Sequence, residues 1–229
     1  MSNSVLIMGK SGDGKTSAIR TLDPKTTFII NSLGKDLPWK GSAKQYPIQE
    51  MRAGGAKGNM IITTHTREVM VALEYVNNAR PEIKEIVIDD NTFFTSLELL
   101  RRTKETSWDK FSDIANNFID LTAKSRSLRK DLIVYILHHT TTEGDGVLED
   151  FKVRAQSYGK LIDEKLGSIE AQFSIVLRAS KNKTDDGIEY VFYTKDASST
   201  CKSPVGMFEE DTIPNDLAYV SSKIREYYN

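Results

Sequence analysis

Short apolar runs and longer helical patterns alternate along this chain. Val5-Leu6-Ile7-Met8, Thr26 to Asn31, Met60-Ile61-Ile62, Ile86-Val87-Ile88 and Leu132 to Leu137 are brief, continuous and bounded by polar or turn residues, as buried strands are. Between them the period changes. Val69, Ala72, Leu73 and Val76 recur at helical spacing and stop before Pro81; Thr95 to Thr106 reads as a helix. Trp108, Phe111, Ile114, Ala115, Phe118, Leu121 and Leu128 mark one face of a long amphipathic helix. Strands alternating with helices predict an α/β fold with a mostly parallel central sheet.

The second half is less regular. Residues 171 to 179 and 188 to 194 flank the turn Asn182 to Gly187 and predict a β-hairpin. Leu161 to Glu170 reads as a helix, and Asn215 or Asp216 is placed to cap a final helix with Leu217, Val220, Ile224 and Tyr227 on its buried side. Residues 42 to 58 and 141 to 159 show no period and are expected to be loops; the second is long, polar and partly basic.

Composition narrows the class. The 229 residues suffice for a core without disulfides, and a single domain over 1–229 is expected. The 31 basic and 32 acidic residues nearly cancel, so any nucleic-acid site has to be a local basic patch. Lys124, Arg126, Arg129 and Lys130 form one such run, at the end of the long helix, where they also suit the helix dipole. The lone Cys201 rules out an internal disulfide and fits a reducing compartment. With no membrane-length apolar run and no leader pattern, a cytoplasmic protein without a membrane partner is expected.

Chemistry enters at the end of the first strand. Gly9-Lys10-Ser11-Gly12-Asp13-Gly14-Lys15-Thr16 matches G-x-x-x-x-G-K-[ST] in full, between an apolar strand and the helix-compatible run Thr16 to Leu22. Glycines let several backbone N–H groups converge on one set of phosphate oxygens, next to a positive helix end. Gly9, Ser11, Gly12, Asp13, Gly14, Lys15, Thr16 and Ser17 are the candidate ATP contacts; Lys15 reaches the β- and γ-phosphates, and Thr16 gives its hydroxyl to Mg²⁺. The apolar strand ending at Asp89-Asp90 has the Walker B pattern, with Asp89 holding Mg²⁺ and Asp90 orienting a water. The strand ending at His138-His139 is expected beside it, with His138 the candidate γ-phosphate sensor; two adjacent histidines do not make a metal site. Lys35 and Asp36, after the second strand, are candidates to border the nucleotide crevice.

Read together, these segments resemble phage-encoded RecA-like ATPases that hold only the ATPase core and are grouped with single-strand annealing (Sak-type) proteins. The resemblance lies in residues 27–41, 85–94, 131–140, 158–166 and 202–228 as well as the P-loop. It implies a RecA-like P-loop sheet with a C-terminal β-hairpin and final helix, ATP between subunits of a ring or filament, and mobile loops that meet single-stranded DNA. On that basis Lys152, Arg154 and Lys160 are candidate DNA-phosphate contacts, Tyr158 a stacking face, and Lys202 a residue reaching ATP across a subunit interface. One departure stands out: where such ATPases place a glutamate near the end of the second strand, this chain has Ile30-Asn31-Ser32. Slow hydrolysis, use of Asp36 or Asp90, or ATP-gated binding alone are the expectations. The competing readings are a P-loop kinase, which the sparse arginines of the late loop argue against, and a nucleotide-gated assembly protein without DNA binding.

Overall fold

The computed structural model describes residues 1–51, 57–144, 151–157, 168–185 and 187–228. Its strands are β1 (Asn3–Gly9), β2 (Thr27–Asn31), β3 (Met60–Ile62), β4 (Glu85–Asp89), β5 (Ile133–Glu143), β6 (Lys152–Ala155), β7 (Ile175–Thr184), β8 (Gly187–Tyr193) and β9 (Thr212–Pro214). They lie in the order β3-β2-β4-β5-β1-β7-β8-β9, with β6 paired to the outer end of β5. From β3 across to β7 neighbouring strands are parallel; β8 and β9 are antiparallel additions. The helices are α1 (Ser42–Gln45), α2 (Thr66–Ala79), α3 (Thr92–Arg101), α4 (Asp109–Ser127) and α5 (Leu217–Tyr228). This is an α/β fold with a mostly parallel central sheet flanked by helices, a C-terminal β-hairpin and a final helix, in which β5 separates β1, the strand that feeds the glycine loop, from β4, which ends on Asp89.

Alternation along each strand sorts side chains onto two faces, because successive Cβ atoms point oppositely. Leu6, Met8, Ile86, Ile88, Val134 and Ile136 share one buried cluster with Val69, Leu73, Ala115, Phe118 and Leu121 of α2 and α4. Val5, Ile7, Ile29, Val87, Tyr135 and Leu137 join the other with Ala18 and Ile19 of the P-loop helix and Leu217, Val220 and Ile224 of α5. The second face is therefore the P-loop face. Buried polar contacts fix the layers: Arg225 of α5 pairs with the buried Glu85 at 2.6 Å, and the Tyr135 hydroxyl meets Ser221 at 2.7 Å.

Several expectations need correction. The helix-compatible run after the glycine loop is a six-residue 3₁₀ helix, Thr16–Thr21, so its dipole is short. The stretch expected to be a loop from residue 141 instead continues β5 to Glu143, pairing antiparallel with β6 from Thr140↔Ala155 to Glu143↔Lys152. β9 was not legible: three residues give too little alternation to read. Asp216, not Asn215, caps α5, accepting the Tyr219 N–H at 3.0 Å. Two residues of the basic run at the end of α4 are tied into the fold: the Arg129 guanidinium donates to the carbonyls of Val76, Asn77, Arg80 and Ile83, and Arg126 donates to the Gln172 carbonyl. The helix expected at Leu161 to Glu170 falls mostly outside the described residues.

Candidate nucleotide site

The site forms at the C-terminal ends of β1, β2 and β4 and beside His139, partway along β5. Beyond β1 the chain turns through Gly12 and Gly14, both at positive φ (85° and 87°), and Asp13 closes the turn by accepting the Lys10 N–H at 2.8 Å. Gly9 is required by crowding: a Cβ there would lie 2.9 Å from the Ala179 carbonyl oxygen on β7. The loop lines a cavity of about 320 Å³ together with Asn31, Lys35, Asp36, Pro38, Asp89, Asp90, His139 and Tyr190.

Lys15 is buried, and its Nζ donates to the carbonyls of Gly9 (2.7 Å) and Lys10 (2.9 Å). Burial lowers its pKa below the usual lysine range, while Asp90, Asp13 and Asp89 pull it back up. The Thr16 hydroxyl donates to Asp89 Oδ1 at 3.0 Å, so the two expected Mg²⁺ ligands already face each other. Asp89 is almost wholly buried, and burial followed by the charge of Asp90 pushes its pKa up to about 6 against the Thr16 hydrogen bond and Lys15. That donor set, one carboxylate and one hydroxyl beside a phosphate cradle, fits a Mg²⁺ that keeps most of its waters. Among the described residues no group of three or more His, Cys, Asp or Glu is arranged to hold a metal by itself.

Asp90 behaves differently from its neighbour. It sits at φ 56°, the left-handed region that aspartate tolerates better than most residues, and is held there by its surroundings. Ser32 Oγ donates to its carbonyl at 3.1 Å, His139 Nε2 lies 3.3 Å from Oδ1 and Lys35 Nζ 3.5 Å from Oδ2. Burial alone raises its pKa, but the His139 hydrogen bond and Lys35 outweigh that and leave it below the usual carboxylate range. Asp89 and Asp90 thus have their pKa values moved in opposite directions.

His138 does not line the cavity; His139 does. The reason is alternation: Leu137 and His139 share the P-loop face, and His138 points to the other, with its ring 6.2 Å from Phe118 of α4. There His138 Nε2 meets the Gln156 carbonyl at 2.7 Å, which fixes the proton on Nε2, and Nδ1 accepts from Asn91 Nδ2 at 3.2 Å. Burial pushes its pKa down to about 4, so it is neutral at pH 7.

Asn31, in the place of the glutamate, lines the cavity in register with Asp89 but is occupied by its own loop. Its Oδ1 accepts from the N–H groups of Leu33 (3.2 Å) and Gly34 (2.9 Å), and Nδ2 donates to the Lys35 carbonyl at 2.8 Å. It fastens the turn that brings Lys35 and Asp36 to the cavity.

Of the remaining candidates, Lys152 is exposed on β6, and Arg154 Nη1 is 2.7 Å from Glu143 Oε2 across the β5–β6 pair. Tyr158 and Lys160 lie outside the described residues. Lys202 exchanges backbone hydrogen bonds with Val176 (2.8 Å each way) and does not line the cavity of its own chain. Tyr190 was missed from sequence, although the alternation at Ile188 to Thr194 marked its strand; nothing local told which face met the P-loop. No helix among the described residues is long and apolar enough to cross a membrane.

No family model matches the chain, and no curated protein matches it. Among solved structures it is similar to a KaiC-like protein from the hyperthermophilic archaeon Pyrococcus horikoshii, with 13% identity over 88% of this chain and 82% of that one, at a TM-score of 0.48. The reading of the site therefore rests on its own residues.

Proposed function

We propose that the chain is a Mg²⁺-dependent ATP-binding protein and slow ATPase of phage type, which uses its nucleotide state to assemble on or anneal single-stranded DNA. The observation that carries the nucleotide part is the convergence of Lys15, Thr16 and Asp89 on one cavity, with the Thr16–Asp89 hydrogen bond at 3.0 Å. Thr16 and Asp89 would hold Mg²⁺, which when bound neutralises charge on the β- and γ-phosphates. Asp90, ionised and braced by His139, is the group left to orient an attacking water where Asn31 has no carboxylate to offer.

The two histidines separate under substitution. His139→Ala is expected to slow phosphate release roughly tenfold or more while leaving the urea-unfolding midpoint near wild type, because it loosens Asp90 without opening the core. His138→Ala is expected to cost roughly 2–4 kcal/mol of stability, from a buried ring and two hydrogen bonds. The reverse pattern would restore His138 as the sensor.

The DNA part is supported by the resemblance and by the place of β6, whose partner strand β5 leads directly from His139 at the cavity. Gln156 extends that link by donating its N–H to the His139 carbonyl at 2.8 Å. Its test is fluorescence anisotropy of labelled single-stranded DNA across salt concentrations, without nucleotide, with Mg·ATP and with Mg·ADP. Tighter, salt-sensitive binding with ATP is expected, and replacing Lys152 and Arg154 by Ala should lower the salt slope by about 1.4, two phosphate contacts at roughly 0.7 each. Absence of binding in every state would leave a nucleotide-gated protein with another partner.

A further inference from the structure

The P-loop face of the sheet continues onto the β7–β8 hairpin, and two side chains there lean on the P-loop with no part in the reading above. Lys181 of β7 and Tyr190 of β8 are cross-strand partners and so share a face. A Cβ at Gly14 would lie 2.8 Å from Tyr190 Cδ1, and one at Gly12 would lie 3.8 Å from Lys181 Nζ. Tyr190 is 44% exposed and forms one wall of the cavity, so its ring is open to a ligand there. Beside it Asn215 is 8% exposed, 3.3–3.4 Å from the same Cβ position at Gly14, and its Nδ2 has no hydrogen-bond partner among the described residues. A buried amide donor left unpaired is costly, and this one stands against the phosphate loop.

We propose that Tyr190 is the stacking platform for the nucleobase, with the Asn215 amide as a donor beside it and Lys181 as a second phosphate cation at the outer end of the loop. This rests on the P-loop holding the triphosphate. Gly14, Ser17 and Tyr190 line the same cavity as Lys15 and Thr16, so a nucleoside that leaves the phosphates past Gly14 and Ser17 would meet the Tyr190 ring. Stacking on an aromatic face accepts every base and favours the larger purines. The Lys181 ammonium on the Gly12 side adds charge where the triphosphate is most negative. The hairpin supplies base and phosphate recognition from one pair of cross-strand neighbours.

The test is isothermal titration of the full chain with Mg·ATP and, separately, with Mg·tripolyphosphate, which has the phosphates and no nucleoside. Tyr190→Leu, which keeps an apolar side chain against Gly14, and Tyr190→Ala are expected to weaken ATP binding roughly 5- to 100-fold while changing tripolyphosphate affinity less than about two-fold. Tyr190→Phe should bind ATP as the wild type does. Lys181→Ala should weaken both ligands to a similar degree. ATP affinity unchanged in Tyr190→Leu, or lost equally for both ligands, would overturn the stacking role, and Lys181→Ala without effect on either would overturn the cation role. Failure of the underlying reading shows separately, as tripolyphosphate binding that survives Lys15→Ala.

Discussion

Lys15→Ala is expected to lower affinity for Mg·ATP by about 100-fold or more, because it removes a charge-assisted donor to the phosphates from a site where water cannot replace it. Lys15 is buried, and its Nζ is held within 2.9 Å of the Gly9 and Lys10 carbonyls, so the ammonium is already desolvated and aimed along the loop. Most of its desolvation is therefore settled in folding rather than on binding. Its removal also takes away a positive charge that favours the ionised form of the buried Asp89. Isothermal titration with Mg·ATP checks this, and Lys15→Met, which keeps the length and buries well, separates lost charge from a collapsed loop. Affinity within a few-fold of wild type in both variants would end the P-loop assignment.

The glycine-loop half of the candidate site was legible because it is contiguous: eight residues between a strand and a helix make it, and no tertiary knowledge is needed to read Lys15 and Thr16 as its cavity-lining residues. Asp89 was legible from the apolar run that ends on it. What failed was the choice between adjacent residues. Alternation places Leu137 and His139 on one face and His138 on the other, and the sequence shows that alternation, but not which face the P-loop helix covers. The register of β1 on β5, with Gly9 opposite His139, decides it and is a fact of pairing across more than a hundred residues. Asn31 shows a different limit. The sequence marked a missing glutamate, whereas the side chain's three hydrogen bonds to its own loop are visible only once the turn is built. Lys181, Tyr190 and Asn215 were illegible for the same reason as His139, being brought to the P-loop by a hairpin and a tail strand from far along the chain.

Asp89→Asn should make the nucleotide-free protein more stable and deprive it of Mg²⁺-dependent binding. Asp89 has its pKa raised from 3.8 to about 6, first by burial and then by the charge of Asp90. An acid whose native pKa exceeds its unfolded value binds more protons in the native state between the two, so its contribution lowers stability as pH rises from about 4 to about 6, and the penalty persists at neutral pH. Two pKa units at 1.36 kcal/mol each put that penalty at about 2–3 kcal/mol. An amide keeps an acceptor for the Thr16 hydroxyl and carries no charge to desolvate, so Asn at this position removes the penalty and leaves the hydrogen bond. For a chain of this length the gain corresponds to roughly 5–10 °C in Tm at pH 7. The difference in unfolding free energy between variant and wild type should shrink toward zero as pH falls to about 4, where the aspartate is protonated in the native state as well; taking the difference removes the other carboxylates common to both proteins. Denaturant titrations from pH 4 to 8 measure it directly. In the same variant, Mg²⁺ should no longer improve ATP affinity, since the one carboxylate beside Thr16 has become a neutral ligand. A variant less stable than wild type at pH 7, or one whose ATP affinity still rises with Mg²⁺ as the wild type's does, would show that the site is not held ready for a cation at the expense of the empty fold.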